Sequence, residues 1–123
     1  TILAGIAFIG GIIYFTLPAI SPRKEVKIKP TGQVKEFDLR LFNWDFEPKK
    51  IEVNAGDKVI LHVISTDIPH GIGINEFFVN KRVDPGATTT VEFIADKRGT
   101  FRMYCTVICG AGHFTMDGTL TVK

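Results

Sequence analysis

Two thiols, an imidazole and a thioether fall within one twelve-residue run of this chain: Cys105, Cys109, His113 and Met116, in Cys-Thr-Val-Ile-Cys-Gly-Ala-Gly-His-Phe-Thr-Met. Soft sulfur donors beside a borderline nitrogen favour copper over magnesium, calcium or manganese. Gly110 and Gly112 separate the second thiol from the imidazole, where a chain doubling back around an ion needs backbone freedom. The run therefore reads as a loop wrapped around metal. A mononuclear blue-copper centre uses one Cys, two His and a weak axial Met, and this loop carries one Cys too many. The second thiolate suggests two coppers sharing two bridging sulfurs.

A further imidazole stands upstream in Asp67-Ile68-Pro69-His70-Gly71, with His70 placed 35 positions before Cys105. Together with Cys105-x3-Cys109-x3-His113-x2-Met116, this pattern resembles the binuclear CuA site of cytochrome c oxidase subunit II. The resemblance covers roughly residues 34–123 and rests on the order His, Cys, Cys, His, Met. It implies that Cys105 and Cys109 bridge two copper ions and that His70 and His113 are terminal ligands. Met116 and the backbone carbonyl of Val107 are then weak axial ligands.

The same resemblance implies a cupredoxin-like Greek-key β-sandwich and a haem-bearing oxidase subunit I as partner. A c-type cytochrome would supply single electrons, which pass to haem in that partner for O2 reduction coupled to proton pumping. The chain itself shows no acid–base constellation and no oxygen site, so it reads as part of an enzyme. Many members of the family carry Glu at the middle of the Cys-x3-Cys segment, where it helps hold magnesium. Val107 stands there instead, so no such magnesium site is expected. With the short chain and single apolar segment, this is more similar to the B-type haem-copper oxidases.

Rival readings each leave residues idle. A membrane-anchored single-copper cupredoxin carrier would not use one of the two Cys. A zinc site of His70, Cys105, Cys109 and His113 satisfies tetrahedral ligation but gives Met116 no role. A copper-delivery protein would not need the whole donor set, and a nitrous oxide reductase would need a large further domain. A local disulfide leaves His70, His113 and Met116 unexplained. Quinol-oxidising relatives of subunit II lack these ligands, so quinol is not the expected donor.

The elements that must position these donors follow from charge and periodicity. The first 22 residues carry no charge, while all 15 basic and 13 acidic residues come after them. Residues 1–22 are apolar over the ~20 positions that a helix needs to cross a bilayer, and they predict one transmembrane helix. Tyr14 and Pro18 sit near its outer end, and Gly10 and Gly11 would admit a neighbouring helix. Residues 23–33 form a basic juxtamembrane linker with Arg23, Lys24, Lys27 and Lys29, which suits lipid headgroups rather than nucleic acid. The positive-inside rule alone would leave the domain in the cytoplasm, but long domains translocate regardless of charge. The resemblance places it outside a cell membrane, and the start at Thr1 suggests an upstream piece.

Residues 34–123 predict an all-β domain. Phe37, Leu39 and Leu41 alternate with charged residues, as do Ile51 and Val53. Lys58 to Ile64 is apolar nearly throughout and reads as a central strand covered on both faces, with His70 in the loop that follows. Further strands are expected at Phe77–Val79, Thr89–Ile94, Phe101–Cys105 and Gly118–Val122, giving an antiparallel sandwich. Met103 is a core residue in this reading, and His62 a structural one. Asp67 reads equally as a residue that orients the His70 loop and as the start of an ordinary Asx-type turn. Phe42, Trp44 and Phe46 share one strand face and read first as core, while the resemblance offers Phe42 or Trp44 as a residue near the docked cytochrome. Residues 31–123 carry 11 Lys and Arg against 12 Asp and Glu, a net charge of −1, so long-range steering is weak. The expected docking patch is apolar: Ile72, Ile108, Ala111 and Phe114.

Overall fold

The computed structural model describes residues 28–123. The expected transmembrane helix and the first part of the basic linker lie outside the described residues. Among those described, no helix is long and apolar enough to cross a membrane.

Among the described residues, nine strands build two sheets. They are β1 (Val34–Phe42), β2 (Asp45–Glu47), β3 (Lys50–Val53), β4 (Lys58–Ser65), β5 (His70–Ile74), β6 (Val79–Val83), β7 (Thr89–Ile94), β8 (Gly99–Tyr104) and β9 (Asp117–Val122). One sheet has the order β2-β1-β4-β7, the other β3-β9-β8-β5-β6. The sandwich is mixed rather than antiparallel throughout, because β1 pairs parallel with β4 and β3 parallel with β9. Period-two alternation marks a half-buried strand but carries no information about the direction of its neighbour.

Alternation explains most of the core. Leu39 and Leu41 of β1, Val59, Leu61 and Val63 of β4, Ile51 and Val53 of β3, and Leu120 and Val122 of β9 all face one buried cluster, which Met103 joins. At ~25 cal/mol per Å2 of apolar surface removed from water, this cluster is the main source of stability. β4 is not covered on both faces: Ile60 and His62 are half-buried and Ile64 is exposed on its outer side. His62 there lies 2.8 Å from the Glu36 carboxylate. The strand buried throughout is β5. A side chain at Gly71 would strike Thr106 and one at Gly73 would strike Tyr104, so the glycines let the Thr106 and Tyr104 side chains lie directly over β5.

Two local expectations are corrected. Phe77–Val79 is not a strand: Asn75–Phe77 forms a 3-10 turn, Phe78 closes it in the left-handed region at φ 56°, and β6 begins at Val79. The Phe77 ring is drawn inward against Phe93 and Phe101, with centroids 4.9 and 5.1 Å away. Phe42, Trp44 and Phe46 do not share a strand face either. β1 ends at Phe42, a turn carries Trp44, and Phe46 enters the core from β2.

The two ends of the sandwich are built differently. At one end Asp57 is buried and accepts hydrogen bonds from the Lys35 ammonium (2.7 Å) and the Asn54 amide (2.8 Å), fixing the turn before β4. The Lys35 contact first, and the Asn54 amide next, hold its carboxyl below the usual carboxylate range. The opposite end carries the sulfur-rich loop. Its limbs are fixed by the β8–β9 pair, whose last register partners are Tyr104 and Asp117.

Candidate metal centre

Residues 105–116 leave β8 and return to β9, and the Cys105 amide donates to the Met116 carbonyl at 3.2 Å across the mouth of the loop. Antiparallel pairing thus brings its first and last residues together before any ion is considered. His70 comes from the other direction. It is the first residue of β5, paired with Val83, rather than a member of the preceding loop. A strand position fixes its backbone more tightly than a loop would.

The donors expected from sequence converge. Cys105 Sγ and Cys109 Sγ lie 3.5 Å apart. His70 Nδ1 is 3.8 Å from Cys105 Sγ, and His113 Nδ1 is 3.5 Å from Cys109 Sγ. Met116 Sδ lies 3.8 Å from Cys109 Sγ, and the Val107 carbonyl oxygen 3.1 Å from Cys105 Sγ. His70, Cys105 and Cys109 each place one ligand atom within 4.8 Å of the others. His70, Met116 and both thiols are buried, while His113 is half-buried.

This donor set fits a soft cation. Burial pushes the Cys109 thiol up to about 12, and the neighbouring Cys105 adds to the rise. Two buried thiols this close ionise together only when a positive charge lies between them. Thiolate, imidazole and thioether together are the ligands copper takes. A cavity of about 500 Å3 on the outer face of β1 and β4 is lined by Asp38, Arg40, Glu47 and His62 and holds no sulfur donor.

The imidazole of His70 is oriented from behind. Its Nε2 lies 2.7 Å from Asp67 Oδ1, which leaves Nδ1 directed at Cys105. The other oxygen of Asp67 accepts from the Asn43 amide at 2.7 Å. Burial raises the Asp67 carboxyl, but hydrogen bonds from the Asn43 and Ile68 amides and from His70 outweigh it and hold it below the usual range. It is therefore an anion at neutral pH, suited to a ligand's N–H.

The contacts of two residues were not legible in the sequence. The Trp44 indole N–H donates to the Cys109 carbonyl at 3.0 Å. The Arg102 guanidinium donates to the Phe114 carbonyl and to Asp117, each at 3.1 Å. Both hold the ligand loop by its backbone, which no side-chain motif records. A cavity of about 400 Å3 opens between Arg102, Tyr104, Cys105 and His113. Of the expected docking patch, Ile108 and Phe114 are 82% and 83% exposed and Ala111 is also exposed, but Ile72 is fully buried in β5.

A β-sandwich that gathers thiols, imidazoles and a thioether at one end, on the loop between two paired strands, defines a metal protein of the cupredoxin class. The chain belongs to the cupredoxin-like domain family, whose model matches residues 8–122. It is 34% identical over 82 residues to cytochrome c oxidase subunit 2 of Thermus thermophilus, covering 67% of this chain and 61% of that one. It is 36% identical over 104 residues to the nitrous-oxide reductase of Cupriavidus necator, covering 81% of this chain and 15% of the reductase. The chain thus spans less than two thirds of either relative. Among solved structures, a chain of a heme-copper terminal oxidase dimer superposes with a TM-score of 0.67 at 26% identity, covering 90% of this chain and 79% of that one. The periplasmic domain of subunit II of cytochrome oxidase from Bradyrhizobium japonicum shares the fold, with a TM-score of 0.66 at 18% identity over 72% of this chain and 83% of that one.

Proposed function

We propose that this chain is the electron-entry subunit of a terminal haem-copper oxidase, holding two copper ions between His70, Cys105, Cys109 and His113. Met116 and the Val107 carbonyl would be weak further ligands. The observation that carries the reading is the line of donors in which two thiols 3.5 Å apart are flanked by one imidazole nitrogen each. A pair of coppers held there would supply reversible one-electron chemistry.

The residues of the chain prepare that step. Burial of both thiols and of His70 keeps water from the ligand atoms. The β8–β9 pair and the His70 strand hold the donors in place in either redox state, so little reorganisation accompanies electron transfer. Ile108 and Phe114 present an apolar surface for a c-type cytochrome, and His113, half-buried beside the 400 Å3 cavity, is the side from which the electron leaves for haem in the catalytic subunit. O2 reduction and proton pumping belong to that partner. In this reading the chain is anchored once in a cell membrane by residues 1–22, with lipid around the anchor and the domain on the periplasmic or extracellular side.

The test is the assembled oxidase with Cys109→Ser in this subunit. Oxidation of reduced c-type cytochrome by O2 should fall at least a hundredfold, while prereduced haem in the catalytic subunit still reacts with O2. Unchanged cytochrome oxidation would remove the proposal. A second reading is favoured by the longer match to nitrous-oxide reductase: the same electron-entry site serving reduction of nitrous oxide. Supplying the purified complex with nitrous oxide in place of O2 separates the two, since only one acceptor should be consumed.

A further inference from the structure

We propose that Trp44 is a positioning residue that latches the ligand loop and decides which of its backbone carbonyls is left facing the metal. The inference deepens the copper reading and rests on it for the metal arm of its test.

Three observations converge on Trp44. Its indole N–H donates to the Cys109 carbonyl at 3.0 Å, so this carbonyl is engaged and turned toward the β1–β2 turn. The Val107 carbonyl, in the same loop, is left facing Cys105 Sγ at 3.1 Å. Of these two carbonyls, the indole thus engages one and leaves the other turned toward the thiols, where it accepts from the Cys105 S–H and would act as a weak ligand once that proton is lost to metal. Second, the ring lies against the loop at Gly110 and Gly112. A Cβ added at Gly112 would fall inside the indole, and one at Gly110 would come to 3.3 Å from it. Gly112 has an ordinary negative φ of −93°, so it is glycine because of the ring above it and not because of its backbone angle. Third, the turn that carries Trp44 is itself fixed by the site, since the Asn43 amide donates to the Asp67 carboxylate that orients His70.

The result is a closed circuit: His70, Asp67, Asn43, Trp44, the Cys109 carbonyl, the two thiols, and His70 again. The loop is held shut at Cys109–Gly112 by a side chain from the opposite sheet. Trp44 remains 42% exposed, so the latch sits at the surface and not in the core. Its removal should loosen the loop while leaving the sandwich intact.

The test uses the full chain with Trp44→Phe, which keeps an aromatic ring and removes the donor, and with Trp44→Ala and Gly112→Ala. In the metal-free protein, hydrogen exchange at the His113 and Thr115 amides, which donate to Gly110 and Gly112, should quicken about fivefold in Trp44→Phe, as expected for one hydrogen bond. Exchange in β4 and β8 should not change. Gly112→Ala should quicken the same amides more, and Trp44→Ala should suppress that defect by removing the ring. In the copper-loaded protein, Trp44→Phe should release copper to a chelator faster and shift the copper hyperfine splitting. Unchanged loop exchange in Trp44→Phe, or no suppression of Gly112→Ala, overturns the latch. Failure of all variants and wild type to hold copper, with the exchange results as expected, removes the copper reading while the latch stands.

Discussion

Asp67 Oδ1 lies 2.7 Å from His70 Nε2, and that contact settles which nitrogen of the ring faces the thiols. A neutral imidazole carries one N–H, so an acceptor held at Nε2 leaves the lone pair at Nδ1 for a metal. Asp67→Ala removes the acceptor and frees the ring to turn. Its copper affinity, measured by competition with a chelator, should fall about 10–100-fold. An unchanged affinity would mean that β5 alone orients the ring.

The apolar residues at the tip of the loop define how the donor docks. With a net charge of −1 over residues 31–123, there is little field for long-range steering. The double variant Ile108→Ser, Phe114→Ser should lower the second-order rate of cytochrome oxidation about tenfold, with the copper spectrum unaltered. The wild-type rate should change little with added salt. A steep fall with ionic strength would point to a charged docking surface instead.

What the sequence makes legible depends on where the information is stored. Cys105, Cys109, His113 and Met116 lie in one run whose chemistry is local, and the structure brings them together as expected. His70 was legible through its flanking Pro69 and Gly71, although the structure makes it the first residue of a strand. Alternation located Leu39, Leu41, Ile51 and Val53 in the core. It could not give the parallel pairing of β1 with β4, because strand direction depends on connections across the whole domain. Ile72 was expected at the surface because the loop around His70 was expected there. Burial of β5 on both faces depends on Gly71 and Gly73 letting Thr106 and Tyr104 approach. Alternation predicts Trp44 on a strand face, whereas a turn carries it. Its hydrogen bond to a carbonyl 65 residues away leaves no trace in spacing.

Acid should act on the end of the domain opposite the loop. Asp57 has its folded-state pKa lowered by Lys35 first and then by the Asn54 amide. A lowered pKa means the ionised form is favoured in the folded state, so the contribution is fully present above the unfolded value of 3.8 and fades as pH falls through the lower folded value. In urea unfolding of the metal-free protein, Asp57→Asn should have a lower midpoint than wild type at pH 7. The gap should narrow below pH 3.8. A gap independent of pH would mean that packing, not charge, is lost.

The core supports the site through β4. Leu61 is fully buried among side chains from both sheets. Leu61→Ala should cost about 2–5 kcal/mol in unfolding free energy, as a lost transfer term plus a cavity. Because the donors lie at one end of the sandwich, the copper spectrum of the folded variant should match wild type. A changed spectrum at full folding would show that the core and the loop are more tightly coupled than the strand pairing indicates.

The most direct measurement of the central claim is copper stoichiometry together with an electron paramagnetic resonance spectrum of the oxidised, copper-loaded chain. The two thiols 3.5 Å apart, each with its own imidazole, predict two coppers per chain sharing one unpaired electron, seen as hyperfine structure split by both nuclei. One copper per chain with a four-line pattern would contradict the binuclear site and make the protein a single-copper carrier.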